Sequence, residues 1–282
     1  MLLANKVVVL TGGGGGIGRV IAGKLLREGA SLAIVSLSET SVNTVVRDLG
    51  TLGNIAGFAL DIANPNMVLS LKDKLLNLYG RVNVLINAAG IQGPIGELAE
   101  NDTAEWIRTV NVNLIGTVIC CKTFVPAFKA EKAGKIINFA GGGANAPRPY
   151  FSAYGASKAA VVRLTETLAE ELGEYNIQVN AVSPGVIRTR MIEETLSAGY
   201  KKAGEEFIQL QKRMSSGFDD PENVAQLVSY LASESSNWLT GRNISAVWDP
   251  WKEWMNSVPT QLDRDLYTLR RIDGRNFVKT GK

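Results

Sequence analysis

Tyr154 and Lys158 stand four residues apart, so a helix through them would carry the phenol and the ammonium on one face, one turn apart. A free phenol, with a pKa of about 10, is a poor base near neutrality. A cation one turn away favours the phenolate, and Tyr154 then becomes a general acid/base. Isolated pairs of this spacing are commonly two surface residues, so the chain around them has to supply the context. Part of it is Thr11-Gly12-Gly13-Gly14-Gly15-Gly16-Ile17-Gly18, between the apolar run Val7-Val8-Val9-Leu10 and an amphipathic run starting near Arg19. A strand, a turn without side chains and a helix start fit that order. Glycine lets the backbone turn sharply and approach another group closely. The helix start offers unpaired N–H groups and a partial positive charge, which suits a phosphate. The run fits two spacings, Gly12/Gly16/Gly18 and Gly13/Gly15/Gly18, and by itself reads as a dinucleotide site.

Composition narrows the chemistry further. The 282 residues contain no histidine, which excludes a Ser-His-Asp triad, a histidine base and a histidine metal ligand. Cys120 and Cys121 are adjacent in an apolar, helix-like run and read as packing residues; no metal is expected. A net charge of +3 is too small to imply nucleic acid. Met1-Leu2-Leu3 lacks a basic leader, and the first apolar run reaches glycine too early to span a membrane, so a reducing cytoplasm is the expected setting. With 45% hydrophobic and 20% charged residues, the chain can build one large α/β core.

The elements that must position these groups alternate along the chain, which predicts a doubly wound parallel sheet, Rossmann-like, in a single domain. Strands are expected at Val7–Leu10, Leu32–Val35, Ile55–Leu60, Val84–Ile86, Lys135–Phe139, Ile177–Val182 and Ile244–Val247. Helices are expected at Ile17–Glu28, ended by Gly29, and at 39–49, from Asn64-Pro65, from Asp102 to about Lys129, at 153–174 and from Asp220-Pro221 to about Ala232. Residues 188–217 are more polar and read as a substrate lid. Residues 248–282 form an extension holding Trp248, Trp251 and Trp254, three of the five tryptophans, and are expected to dock on residues 1–247 or on a neighbouring subunit.

Together, the glycine turn, Asn87-Ala88-Ala89-Gly90 after the fourth strand, Tyr154-Gly155-Ala156-Ser157-Lys158 and Pro184-Gly185 after the sixth resemble the short-chain dehydrogenase/reductase superfamily from about Lys6 to Val247. The resemblance implies a seven-stranded sheet with NAD or NADP across its carboxyl edge and an alcohol/carbonyl oxidoreductase acting on a small molecule. It carries Gly12, Gly16, Ile17 and Gly18 to the pyrophosphate, and Asp61 with Ile62 to the adenine. Asn87 would hold the central sheet and Gly90 would lie near the adenosine ribose. Pro184, Gly185 and Ile187 would border the nicotinamide, and Thr189 would bond its carboxamide. Lys158 would also bond the nicotinamide ribose. Asn113, preferred over Asn111 for its Asn-Leu-x-Gly context, would hold a proton-relay water.

The chain departs from the family at one catalytic position. The serine usual about thirteen residues before the tyrosine is replaced by Gly141, in Phe139-Ala140-Gly141-Gly142-Gly143-Ala144-Asn145. Losing one such donor costs about 10²–10³ in rate. Backbone N–H groups of the glycine turn, Asn145, Tyr150 or Ser152 could replace it, and the glycines could make room for a bulkier substrate. The departure keeps two further readings open: a dinucleotide-binding protein with little turnover, and a cofactor-assisted sugar epimerase or dehydratase. At the end of the second strand, Ser36 and Ser38 replace both the acid that suits NAD and the arginine that suits NADP, and the lean is to NADP. A homodimer or homotetramer through helices 103–129 and 153–174 is expected from the resemblance.

Overall fold

A computed structural model of the chain describes residues 1–271. The first apolar run is β1 (Val7–Thr11), buried along its length. The glycine run turns it into α1 (Gly16–Arg27), and β2 (Ser31–Ser36) returns parallel to β1. Ser38 caps α2 (Glu39–Leu49), its Oγ accepting from the Ser41 N–H, and β3 (Ile55–Ala59) follows on the outer edge. Asn64 accepts from the Asn66 and Met67 N–H groups at the start of α3 (Pro65–Tyr79), where Pro65 loses no helical bond. β4 (Val84–Asn87) lies on the other side of β1, with Asn87 level with Thr11.

The helix expected at 103–129 is two helices. α4 (Thr103–Val110) runs into a wider π turn over Asn111–Ile115, and α5 (Gly116–Glu131) continues from it. The extra residue in the turn brings Asn113 inward to full burial and leaves Asn111 exposed. Taken whole, Thr103–Glu131 is long and apolar enough to cross a bilayer by length and composition. Here it packs beside the sheet and buries Asn113 and Thr117, while Ile107 and Ile115 remain exposed.

Next come β5 (Gly134–Phe139), α6 (Ser152–Leu172) and β6 (Ile177–Ser183). The polar stretch after β6 folds into α7 (Arg190–Ala203) and α8 (Glu205–Ser216), joined at Gly204. Asp220 caps α9 (Pro221–Ala232), and β7 (Asn243–Ser245) ends the sheet. That last strand stops short of the expected Val247. Ser245 Oγ accepts from the Val247 and Trp248 N–H groups, and the Ser245 N–H binds Asp249, so the chain turns back.

The sheet has the order β3-β2-β1-β4-β5-β6-β7, and all its pairs are parallel. One apolar core joins it to α1 and α9 through Leu10, Leu25, Ile34 and Val228; the other joins it to α3 and α5 through Val9, Leu75, Phe124 and Phe128. The extension adds α10 (Trp251–Trp254) to the first core. Trp254 lies edge-on between Trp238 and Tyr267, at 5.7 and 5.4 Å between ring centroids, whereas Trp248 is exposed. Trp251, Trp254, Leu262 and Tyr267 of the extension thus pack on the chain's own core, and 272–282 lie outside the described residues.

Candidate active site

β1 and β4 are neighbours, and the strands that follow each run outward in opposite directions, so a crevice opens above their carboxyl ends. The glycine turn sits in it. Gly12 has φ +75°, and a Cβ on it would lie 2.7 Å from Ala89 N, in the segment after β4. A Cβ on Gly18 would lie 2.1 Å from Gly12 O, so only glycine lets α1 close onto the turn. Gly15 and Gly16 are different. Nothing lies within 4 Å of a Cβ on Gly15, and a Cβ on Gly16 would meet only Thr189 Cγ2, at 3.8 Å. The space beside the start of α1, where the first-turn N–H groups have no helical partner, is therefore open, and that cradle fits a pyrophosphate.

The other residues expected around a dinucleotide lie along the same edge. Ser36 ends β2, with its Oγ 2.7 Å from where a Gly14 Cβ would be. Asp61 is exposed after β3, with Oδ1 accepting from the Ala63 N–H at 2.9 Å; Ile62 beside it is buried against Gly116. Asn87 donates to Asn138 Oδ1 at 2.9 Å, and Asn138 to Thr165 Oγ1, tying β4, β5 and α6 together. Past β6, Pro184 is half-buried, Gly185 takes φ +84° and Ile187 is buried. Thr189 begins α7 facing Gly16 across the crevice.

Tyr154 and Lys158 share the buried face of α6. Lys158 Nζ donates to Phe139 O at 2.8 Å and lies 5.7 Å from the Tyr154 ring centroid. The inward turn of Asn113 joins it to the same cluster. Its Oδ1 accepts from the Ile91 N–H at 2.8 Å, and its Nδ2 donates to Ile91 O and to Ser157 Oγ. A Cβ on Gly90 would lie 3.2 Å from Asn113 Oδ1 and 3.5 Å from Lys158 Nζ, so the segment after β4 and the pair on α6 are in contact. Burial pushes the phenol up and the ammonium down, the latter to about 8.

At Gly141 a Cβ would lie 2.5 Å from Tyr154 Oη, so the phenol oxygen stands where a side chain at this position would begin. Of the proposed replacements, Asn145 accepts from Asn243 Nδ2 and lines a separate cavity of about 310 Å³ with Ser183, Trp248 and Tyr267. Tyr150 takes φ +71°, and its ring lies against Gly204. Ser152 Oγ accepts from Trp106 Nε1. In these contacts Asn145 and Ser152 act as acceptors and Tyr150 packs through its ring, so none of the three spends a side-chain donor there.

Four residues that sequence reasoning passed over help to build the site. Arg148 lies over the Phe151 and Tyr154 rings and pairs with Glu206 of α8. Asp219 accepts from the Val186 N–H at 2.7 Å and from Arg213, pinning the segment after β6. Gln92 is buried and donates to Thr195 and to Met191 O of α7. None of these carries a local signal, because the partners Glu206, Val186, Thr195 and Met191 lie far away in the chain. The exception is Ser157, within Tyr154-Gly155-Ala156-Ser157-Lys158, whose hydroxyl donates to Tyr154 O at 2.8 Å.

A glycine-lined crevice at the point where strand order reverses, with Tyr154 and Lys158 on one face of a helix beside it, places the chain among the dinucleotide-binding oxidoreductases of Rossmann type. It belongs to the short-chain dehydrogenase family, whose model matches residues 6–198. A 3-oxoacyl-[acyl-carrier-protein] reductase of Thermotoga maritima is 32% identical over 86% of this chain and 97% of its own. A dehydrogenase/reductase SDR family member 4 of Caenorhabditis elegans is 34% identical over 85% and 93%. Among solved structures, an NAD+-bound xylitol dehydrogenase superposes with a TM-score of 0.81 at 25% identity, covering 87% of this chain and 98% of its own. The chain is an NAD(P)-dependent oxidoreductase that interconverts an alcohol and a carbonyl on a small organic molecule.

Proposed function

We propose that Tyr154 is the acid/base of this exchange, with Lys158 and Asn113 as its partners. The observation that carries the reading is the meeting of Tyr154, Lys158, Asn113 and Gly90 across the crevice from the open first turn of α1. When bound, the nicotinamide supplies or accepts the hydride. The Tyr154 phenol gives its proton to the substrate oxygen in reduction and takes it back in oxidation. Lys158 is charged below a pH of about 8 and favours the phenolate. Asn113 holds the Ile91 backbone and Ser157, which fixes both walls around the ammonium.

The dinucleotide would lie along Gly12, Gly16, Ile17 and Gly18, with Asp61 and Ile62 at the adenine, Gly90 by its ribose and Pro184, Gly185, Ile187 and Thr189 at the nicotinamide. NADP is favoured over NAD because Ser36 ends β2 and Ser38 caps α2, so hydroxyls stand at the two positions in place of a carboxylate that would repel a 2′-phosphate. Residues 188–217 serve as the substrate lid: Met191, Ala203 and Phe207 pack with Tyr154 and Phe151, so α7 and α8 have to move for a substrate to reach the phenol. Copies would assemble through 103–129 and 153–174, and the exposed Ile107 of α4 and Ile115 of the π turn support the first of these faces. The cytoplasm remains the proposed location.

The test is Tyr154→Phe, assayed with NADPH and NADH on a panel of ketones, sugars and polyols. The expected loss is about 10²–10⁴ in kcat with cofactor Kd nearly unchanged. An equal loss of cofactor binding would make the tyrosine structural.

A further inference from the structure

The Tyr154 ring has two cations near it. Lys158 Nζ lies 5.7 Å from the ring centroid and Arg148 Cζ lies 5.0 Å from it. The nearer one is not on α6. It comes from the loop between β5 and α6, the segment that also holds the glycine in place of the usual serine. Its guanidinium lies 3.9 Å from the Phe151 ring centroid, and its side chain is only 14% exposed. Both edges of the fork bind one carboxylate: Nε donates to Glu206 Oε2 at 2.7 Å, and a second nitrogen donates to Oε1. Glu206 belongs to α8. The loop and the helix are also locked by shape, since a Cβ on Gly204, just before α8, would lie 2.5 Å from the Tyr150 ring.

We propose that Arg148 is a positioning residue for Tyr154, supplying charge that favours the phenolate where no serine hydroxyl is present, and that Glu206 of α8 limits how much of that charge the phenol feels. The proposal rests on the reading of Tyr154 as the acid/base. A guanidinium beside an aromatic ring is attracted to it, and far more strongly when the ring carries a full negative charge. In this apolar surrounding the field of Arg148 is weakly screened, and so is the opposing field of Glu206. The charged and titratable groups facing the phenol are Lys158 on its own helix, Arg148 from the loop and Glu206 from α8; the neighbours Ile95, Met191, Ala203 and Phe207 are apolar. Arg148 pulls the phenol down and Glu206 pushes it up, against the larger effect of burial. Because Glu206 rides on the proposed lid, movement of α8 would change the charge balance at the phenol as well as its exposure.

The experiment reads the phenol directly. Tyr154 ionisation is followed by phenolate absorbance, as the difference between each protein and the same protein carrying Tyr154→Phe. Glu206→Gln is expected to lower its midpoint by about one pH unit, and Arg148→Gln to raise it by a similar amount. Arg148→Lys, which keeps the charge but not the fork, should fall between wild type and Arg148→Gln. A purely structural ion pair predicts no shift, or shifts of the same sign in Glu206→Gln and Arg148→Gln; either result overturns the proposal and leaves the oxidoreductase intact. The pH profile of kcat for alcohol oxidation should follow the spectroscopic midpoints. If the phenol shifts and the profile does not, Tyr154 is not the acid/base, and the underlying reading fails instead.

Discussion

Gly141 and Tyr154 touch: the phenol oxygen occupies the space in which a side chain on residue 141 would begin, with only 2.5 Å between an ideal Cβ and Oη. Serine at 141 therefore does more than add a hydroxyl. Gly141→Ser is expected to move the Tyr154 ring, to cost roughly 1–3 kcal/mol in stability and to lower kcat, and Gly141→Ala should do the same. Unfolding midpoints and kcat on one ketone for both variants check this. A gain of activity in Gly141→Ser alone would show that the ring yields without loss and that the position simply lacked its donor.

Asn113 makes three hydrogen bonds with no solvent access, to both backbone groups of Ile91 and to Ser157. Asn113→Leu strands those partners, and about 2–3 kcal/mol of stability should be lost. Asn111→Leu, on the exposed side of the same π turn, should change stability by less than about 0.5 kcal/mol. Urea unfolding of the two variants decides it, and equal effects would contradict the assignment of the inward residue.

Lys135 is buried at the start of β5, where its ammonium donates to Ser236 Oγ at 3.1 Å. Burial, followed by the nearby charge of Lys6 and opposed by Glu234, pushes it down to about 7, below its ordinary range near 10.4. Between those two values the unfolded chain binds a proton that the folded chain does not. The penalty from Lys135 is therefore full below pH 7 and is relieved as pH rises towards 10. Lys135→Met removes it. The stability of that variant relative to wild type should fall by up to about 1.4 kcal/mol for each pH unit above 7. Chemical denaturation at three pH values measures the difference, and a constant difference would mean that the lysine titrates normally.

Trp254 fixes the extension through its edge-on contacts with Trp238 and Tyr267. Trp254→Ala should cost about 3–5 kcal/mol if the extension folds with the rest of the chain. Trp248→Ala, at a position 80% exposed, should be nearly neutral. Thermal unfolding separates the two, and a neutral Trp254→Ala would make the extension an independent appendage.

The order of elements, the glycine turn and the Tyr154–Lys158 pair were all readable from the chain alone. Each depends on residues within a turn or two of one another, where backbone geometry is set by local chemistry. Thus Gly18 had to be glycine to let α1 meet Gly12, and Asn64-Pro65 had to start a helix. The break between α4 and α5 was not readable, because no residue type marks the π turn that buries Asn113 and leaves Asn111 exposed. Only the tertiary structure decided what surrounds the phenol. Arg148 and Glu206 are 58 residues apart, and Gly141 meets Tyr154 across a loop and a helix turn. Excluded volume and weakly screened charge act between whatever groups the fold brings together, and their partners are set by packing rather than by spacing along the chain.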